Sequence, residues 1–284
     1  MVILVTGANG QLGQALQAKG SSTSDLEFVF ATSSDLDISN YEACAEFFEK
    51  IKPNYCINAA AYTAVDKAET DEDNARKVNV LGSENLAKSC AKNKCVLLHV
   101  STDFIFDGRA SIPYTETDTP NPTGVYGQTK LDGERAIQAV FDAYFIIRTS
   151  WVYSQYGNNF LKTMLRLAKE RESLSVVNDQ IGTPTNAVDL AEVLLLIIRF
   201  SEENKEQPNY GVYHFSNEGQ CSWYEFAKEI FEQTQTKIEL KPIPSSEFPT
   251  PAKRPSYSVL DKLKIKNTFN FTILDWKESL KKAL

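Results

Sequence analysis

The chain has 284 residues, of which 42% are apolar and 24% charged, as in an ordinary soluble globular protein. This length suits one large α/β domain with a smaller appendage. The net charge of −7 disfavours nucleic acid and anionic membranes as partners, because such partners are bound through basic patches.

No segment resembles a targeting signal or a membrane span. The N-terminal apolar run is too short for a signal peptide. The longest run, VLLLIIRF from Val193, is well below the roughly 18 residues that cross a bilayer. The five cysteines are scattered without a CxxC pair, and His99 and His214 lie in strand-like stretches. We therefore expect neither a zinc site nor disulfides, and a cytoplasmic protein with reduced thiols.

Short apolar runs alternate with helical patterns through the first 150 residues. The strand-like runs are Val2–Thr6, Glu27–Ala31, Tyr55–Ala61, Cys95–Thr102 and Ala143–Ser150. Helical patterns follow them in QLGQALQAK, in NYEACAEFFEKI, over 73–92 and in the segment that carries Lys130. Apolar strands separated by helices predict an α/β fold, a Rossmann-type doubly wound parallel sheet covered on both faces.

Beyond Ser150 the order of elements changes. A helix in FLKTMLRLAKERE precedes a strand in LSVVND, a helix around 188–200 and, after a polar linker, GVYHFSN and a helix from Trp223. A strand near 237–242 leads into a proline-rich segment. We predict a dinucleotide-binding domain in residues 1–150, to which 185–210 returns, and a smaller C-terminal substrate-binding lobe mainly in 151–284. The lobe should lie over the carboxyl edge of the sheet, where open α/β folds bind ligands.

The first strand runs into TGANGQLG, which places Gly7, Gly10 and Gly13 at intervals of three. Glycine allows a tight turn and a close approach to a pyrophosphate, and the following helix offers free N–H groups. Between a strand and a helix of a βαβ unit, this pattern predicts a dinucleotide site. The second strand ends in Ala31–Ser34, which has neither the acid typical of NAD sites nor the arginine typical of NADP sites. Either cofactor would fit, and we favour NADPH with NADH also used.

Two further segments could face a ligand. Asp35 and Asp37 would either cap the helix that starts near residue 40 or contact the adenine side of the cofactor. In HVSTDFIFDG, Ser101 and Thr102 end the fourth strand at the ligand edge of the sheet. Their hydroxyls are either turn residues or donors to a substrate carbonyl.

VYGQTK places Tyr126 and Lys130 one helical turn apart. An ordinary polar pair on a surface helix would have the same spacing. After a glycine loop and a hydroxyl pair, however, a phenol and an ammonium suit carbonyl reduction. A free tyrosine has a pKa near about 10. A neighbouring ammonium, helped by the oxidised nicotinamide, favours the phenolate and would lower that pKa, so that the phenol can donate a proton to the carbonyl oxygen.

Several segments carry a family resemblance: the glycine loop, NAAAYTAVDKAE, STDFIFDG, VYGQTKLDGE and RTSWVY. They resemble the extended short-chain dehydrogenase/reductase superfamily and, within it, the dTDP-4-dehydrorhamnose reductases. GNNFLKTMLRLAKE, DQIGTPT and PTPAKRPSYSVLD extend the likeness nearly from end to end. The resemblance implies reduction of dTDP-4-dehydro-β-L-rhamnose to dTDP-L-rhamnose by hydride transfer from NADPH or NADH.

The resemblance also implies roles by position. The catalytic residues would be Thr102, Tyr126 and Lys130, of which Lys130 also holds the nicotinamide ribose. The other cofactor residues would be Gly7, Gly10, Gln11, Leu12, Gly13, Asp37, Ile38, Ala60 and Ala61. The substrate residues would be Ser101, Thr102, Asp103, Trp151, Asn159, Gln180 and Arg254.

Three further expectations follow from the resemblance. Trp151 would pack on the deoxysugar, and the loop 106–122 would border the substrate. The first helix lacks the carboxylate that some members use for a metal-bridged dimer, so we expect no metal and a monomer or weak homodimer.

Three alternatives stay open. Related folds serve as regulatory subunits, such as the methionine adenosyltransferase β subunit. A sister reductase would act on another 4-keto sugar nucleotide. An epimerase or dehydratase would use an acid beside Thr102, and Asp103 is in that place, although Phe104 follows it without a second carboxylate.

Overall fold

A computed structural model describes residues 1–20 and 26–284. Its strands are β1 (Val2–Thr6), β2 (Glu27–Ala31), β3 (Tyr55–Asn58), β4 (Val96–Thr102), β5 (Tyr144–Thr149), β6 (Val152–Tyr153), β7 (Ser173–Val177), β8 (Ile181–Gly182), β9 (Thr185–Asn186), β10 (Gly211–His214), β11 (Cys221–Ser222) and β12 (Glu239–Ile243). Its α-helices are α1 (Gln11–Gly20), α2 (Tyr41–Ile51), α3 (Val65–Ala68), α4 (Glu72–Arg76), α5 (Gly82–Asn93), α6 (Val125–Val140), α7 (Phe160–Glu170), α8 (Ala187–Glu203), α9 (Trp223–Gln233), α10 (Leu263–Phe269) and α11 (Trp276–Lys281). No helix in these ranges is long and apolar enough to cross a membrane.

Within the described ranges, six strands form one sheet in the order β2-β1-β3-β4-β5-β10. All neighbouring strands are parallel. After β2 the chain crosses to the other side of β1 to form β3, so the order reverses at β1. The carboxyl ends of β1 and β3 therefore flank the crevice where doubly wound folds bind ligands. The predicted fold class is confirmed.

Strand β1 illustrates why the sheet is covered on both faces. Ile3 and Val5 lie in one apolar core, with side chains of α1 and α8. Leu4 points to the opposite face and lies in a second core, with side chains of α2, α5 and α6. Successive side chains of a strand alternate between faces, so a continuous apolar run fits a strand buried on both sides.

The helical stretch predicted over 73–92 is interrupted by a π-helical turn, Lys77–Leu81, between α4 and α5. The turn surrounds Asn79, a buried side chain whose Oδ1 accepts from the Tyr62 N–H at 2.8 Å and whose Nδ2 donates to Thr129 Oγ1 at 3.1 Å. A π turn inserts one residue into a helix and is frequent near functional sites. Here the π turn lets the side-chain amide of Asn79 connect the loop after β3 with helix α6.

The C-terminal half adds both a strand to the large sheet and a separate small core. Strand β10 lies beside β5 at the sheet edge, while β12 pairs in parallel with β7. The small core is formed mainly by α7, α9 and α11 together with β7. The assignment of these parts to a dinucleotide-binding domain and a substrate-binding lobe stays a prediction.

Candidate active site

A cavity of about 920 Å³ lies at the carboxyl ends of the central strands, between the sheet and the small C-terminal core. Most of the residues named from the sequence line it, namely Gly7, Gly10, Gln11, Leu12, Asp37, Ile38, Ala60, Ala61, Ser101, Thr102, Asp103, Tyr126, Lys130, Trp151, Asn159 and Arg254. Gly13 and Gln180 do not line it. No residue from 106 to 122 lines it either, although all of that loop is described.

The glycine loop forms one end of the cavity. Gly7 has a φ of +70°, which glycine adopts without strain, and its carbonyl accepts from the Gly10 N–H at 2.9 Å. Gly13 instead allows close packing, because a Cβ there would lie 2.4 Å from the Gly7 oxygen. The first N–H groups of α1 have no acceptor within the helix and begin at the cavity wall, at Gln11 and Leu12. This donor set fits a pyrophosphate.

The part of the wall beside the glycine loop is formed after β2 by Thr32, Ser33, Leu36, Asp37 and Ile38. The Asp37 carboxylate accepts from the backbone N–H and hydroxyl of Ser39, and the hydroxyl bond is the main reason that its pKa lies below the usual value. The cap of α2 is Asn40, whose Oδ1 accepts from the Ala43 N–H at 3.0 Å. The helix-capping alternative for Asp35 and Asp37 is therefore wrong.

Tyr126 lies in the first turn of α6, against the turn that follows β4. Its ring meets Phe104 edge-on at a centroid distance of 5.5 Å. Helix α6 comes this close because Gly127 has no side chain: a Cβ there would lie 2.2 Å from the Phe104 oxygen. The close packing places the phenol in the same cavity wall as Thr102.

The environment of Tyr126 keeps the phenol protonated. Burial raises the pKa of Tyr126 to about 12; the nearby Thr102 hydroxyl opposes this rise and the Asp103 charge adds to it. The sequence predicted that Lys130 would lower this pKa. That effect, which includes the oxidised nicotinamide, stays a prediction; in the structure, burial of the phenol is the largest cause of the pKa shift. Tyr126 thus holds its proton at neutral pH, as a proton donor must.

Lys130 is 2% exposed, one helical turn after Tyr126. Its Nζ donates to the Val100 carbonyl at 2.7 Å and lies 3.2 Å from His99 Nε2. Burial lowers the pKa of Lys130 to about 8, while the Glu134 charge acts in the opposite direction. Lys130 and Tyr126 both line the cavity, as expected for two residues one helical turn apart on the same face of α6.

Ser101 and Asp103 differ in what they can offer a substrate. The Ser101 hydroxyl donates to Glu134, which pairs with Arg148 at 2.8 Å in a buried ion pair. The Ser101 hydroxyl therefore already donates its hydrogen to a protein carboxylate and not to a ligand. Asp103 is buried, and burial raises its pKa to about 6, while the nearby hydroxyls of Ser258 and Thr102 act in the opposite direction.

An aromatic wall lies on the side of the small core. Trp151 has a φ of +46°, an uncommon backbone conformation for a bulky residue. Its indole stacks on Trp223 with centroids 3.6 Å apart. The sequence predicted Trp151 but missed Trp223, because a tryptophan directly after the Ser222 helix cap gives no local sign of what it faces.

Two further predicted residues make structural contacts at the cavity edge. Asn159 caps α7 by accepting from the Lys162 N–H, and its Nδ2 donates to Gln11 Oε1 at 2.8 Å. Arg254 forms a bidentate pair with Asp66, at 2.9 and 2.8 Å. Asp66 lies in the NAAAYTAVDKAE segment, and that segment was the only sign of it in the sequence.

A parallel sheet that reverses at a glycine turn, with a tyrosine, a lysine and a threonine converging on its carboxyl edge, defines a Rossmann-type protein of the extended short-chain dehydrogenase/reductase class. Comparison with known proteins agrees. The family model described as RmlD substrate binding domain matches residues 1–284, and the chain belongs to this family. The resemblance read from the sequence is confirmed.

Individual relatives cover almost the whole chain. A dTDP-4-dehydrorhamnose reductase of Aggregatibacter actinomycetemcomitans is 43% identical, over 98% of this chain and 97% of the relative. The crystal structure of a dTDP-4-dehydrorhamnose reductase from Clostridium acetobutylicum has a TM-score of 0.93 and 45% identity, covering 100% of this chain and 98% of that one. A dTDP-4-dehydrorhamnose reductase from Bacillus anthracis, solved in complex with NADP, has a TM-score of 0.92 and 38% identity, with 99% and 98% coverage.

Proposed function

We propose that this protein reduces the C4 ketone of dTDP-4-dehydro-β-L-rhamnose to give dTDP-L-rhamnose, with NADPH or NADH as cofactor. The observation that carries the proposal is that Thr102, Tyr126 and Lys130 line one cavity, which also reaches the glycine loop. The names of relatives at 43 and 45% identity and the NADP complex of another support the substrate and the cofactor.

The proposed roles follow from position along the cavity. The N–H groups at Gln11 and Leu12 bind the pyrophosphate, to which Gly10 allows a close approach, and Asp37 and Ile38 contact the adenine side. Ala60 and Ala61 lie along the cofactor, and Lys130 holds the nicotinamide ribose. Gly7 lines the cavity at the turn of the loop, and Gly13 lets α1 pack closely against that loop. When bound, the dinucleotide supplies the hydride for C4.

Tyr126 is the proposed acid. The ketone oxygen accepts a hydrogen bond from Thr102 and then the proton from the Tyr126 hydroxyl, which leaves a phenolate. A charged Lys130 in the same cavity stabilises that phenolate through the attraction of opposite charges. In the structure the Thr102 hydroxyl donates to Asp103 Oδ1 at 3.1 Å, and the ketone oxygen replaces that acceptor when the substrate binds.

The small C-terminal lobe is the proposed substrate side. Trp151, whose indole stacks on Trp223, packs on the deoxysugar with one edge of that stacked pair. Asp103, Asn159 and Arg254 contact the sugar nucleotide. Ser101 lines the cavity with its hydroxyl engaged with Glu134, so it supports the substrate site indirectly. Gln180 acts from behind the cavity wall, because it does not line the cavity. The enzyme is proposed to work in the cytoplasm as a monomer or weak homodimer, without a metal.

The test follows the loss of absorbance of NADH and NADPH, in separate assays, with the dTDP-4-keto-6-deoxysugar generated in situ. Tyr126→Phe should lower turnover by at least about 10²-fold, the usual contribution of a positioned acid, and leave dinucleotide affinity nearly unchanged. The control is Tyr62→Phe, which removes a hydroxyl that donates to Asp71 at 2.9 Å and leaves the cavity lining intact.

The outcomes separate the alternatives. Full activity of Tyr126→Phe would refute the acid assignment. Turnover only with a different 4-keto sugar nucleotide would indicate a sister reductase. Absence of turnover together with a stable complex with another enzyme would indicate a regulatory subunit. Dehydratase chemistry is disfavoured because the residue beside Asp103 is Phe104, whose ring packs on Tyr126.

A further inference from the structure

Asn58, at the carboxyl end of β3, has its side-chain amide held in one orientation. Its Oδ1 accepts from the Ala60 backbone N–H at 3.1 Å and from the Thr6 hydroxyl at 2.8 Å. A backbone N–H can only donate, so the oxygen of the amide must face Ala60. The amide nitrogen, Nδ2, then faces His99 Nδ1 at 3.0 Å.

This orientation determines the tautomer of His99. The Asn58 amide nitrogen is a donor, so His99 Nδ1 must be the acceptor and carries no hydrogen. His99 is 1% exposed, and its burial is the main reason that its pKa lies well below the usual value. A neutral ring with a bare Nδ1 carries its hydrogen on Nε2.

The hydrogen on His99 Nε2 points toward the Lys130 amine, whose Nζ lies 3.2 Å away. A lysine ammonium has three donors and no acceptor, so it cannot accept this hydrogen. The uncharged amine has a lone pair and can. One of its own hydrogens is then donated to the Val100 carbonyl at 2.7 Å. The contacts on both sides of Lys130 are thus satisfied by its uncharged form.

Few charged groups in the described part of the chain oppose this preference. Strand β4 contributes His99, and the turn after it contributes Asp103. Helix α6 contributes Tyr126 and Glu134, and β3 contributes only the neutral Asn58. Glu134 favours a charged Lys130, but its carboxylate already binds the Ser101 hydroxyl and the guanidinium of Arg148 on β5.

We propose that Asn58 and His99 are positioning residues that hold Lys130 uncharged over a range of pH in which an ordinary lysine is charged, and so set the alkaline limit of the reaction. The effect on the alkaline limit rests on the proposed reduction, in which a charged Lys130 stabilises the phenolate left by Tyr126. As the pH rises and Lys130 loses its proton, that stabilisation is lost and kcat/KM falls.

The two histidines allow a direct test that needs no turnover. His214 Nδ1 lies 3.0 Å from the Tyr114 carbonyl, which can only accept, so His214 should carry its hydrogen on Nδ1. NMR spectra of protein labelled with ¹⁵N-histidine, without dinucleotide, should therefore show one histidine of each neutral tautomer. Two Nδ1–H rings, or a His99 that titrates between pH 6 and 9, would overturn the proposal.

Asn58→Asp is the informative variant. A carboxylate offers an acceptor at both oxygens, so His99 should move its hydrogen to Nδ1 and turn a bare Nε2 toward Lys130. The spectrum should then show two Nδ1–H rings, and the alkaline limb of kcat/KM should move up by about 1 pH unit or more, as expected for a lysine that gains a nearby negative charge. Thr6→Val is the control: Ala60 still orients the amide, so neither the tautomer nor the limb should move.

The outcomes keep the two parts distinct. If Asn58→Asp changed the tautomer of His99 but left the alkaline limb of kcat/KM unmoved, the proposed effect on the reaction would be refuted. The expected wild-type spectrum from a protein that does not turn over the keto sugar would refute the proposed function and leave the hydrogen-bond arrangement standing. The wild-type spectrum tests that arrangement even where the variant fails to fold.

Discussion

Gly127→Ala should damage the reaction more than the fold, because the missing side chain of Gly127 sets the distance between α6 and the Thr102 turn. A Cβ at this position would lie 2.2 Å from the Phe104 oxygen and 3.1 Å from Pro122 Cβ. Reaching a tolerable contact requires a shift of about 1 Å, since nonbonded heavy atoms attract at about 3.5–4 Å and repel well inside that distance. The adjacent residue is Tyr126, so the shift separates the phenol from Thr102.

The expected magnitudes follow from that displacement. Overpacking costs about 1–3 kcal/mol, and the better helix propensity of alanine offsets about 0.5–1 kcal/mol. We therefore expect a net loss of stability of about 1 kcal/mol. A misplacement of about 1 Å between reacting groups can lower turnover by about 10²-fold.

The assays are urea unfolding and kcat with the keto-sugar nucleotide. The matched control is Gly133→Ala on the same helix, where a Cβ would lie 2.2 Å from the Asn79 oxygen. Gly133 is seven residues from Tyr126, or about 10 Å along the helix. It should lose similar stability and much less turnover. Equal losses of kcat in both variants, or wild-type kcat in Gly127→Ala, would refute the reasoning.

Two further predictions concern carboxylates at the cavity. Burial raises the pKa of Asp103 to about 6, so its ionised form destabilises the fold as the pH rises through this value. Asp103→Asn should be more stable than wild type at pH 7 by up to about 3 kcal/mol, with the difference vanishing near pH 4 in urea unfolding; a constant difference would contradict this. Asp66→Asn should change stability by less than about 1 kcal/mol, because the pair with Arg254 is partly exposed, and should raise KM more than it lowers kcat; an unchanged KM would remove Arg254 from the substrate side.

Local pattern was sufficient for the elements that a few consecutive residues specify. The runs Val2–Thr6 and Glu27–Ala31 are strands with the predicted bounds, because short runs rich in β-branched and aromatic residues favour strands. The glycine spacing predicted the turn at Gly7 for a similar reason, since only a residue without a Cβ fits there. The π turn at Lys77–Leu81 was not predictable, because it depends on what Asn79 meets on α6.

At the site, the sequence by itself determined which side chains reach the carboxyl edge of the sheet: Thr102 at the end of a strand, and Tyr126 and Lys130 on one face of the next helix. Only the tertiary structure decided their state, because protonation depends on burial and on partners distant in the chain. The Ser101 hydroxyl donates to Glu134, and Trp151 stacks on Trp223. Lys130 lies beside His99, whose tautomer depends on Asn58 in the neighbouring strand β3. Spacing along the chain carries no information about such contacts, and they determine which groups can give or hold a proton.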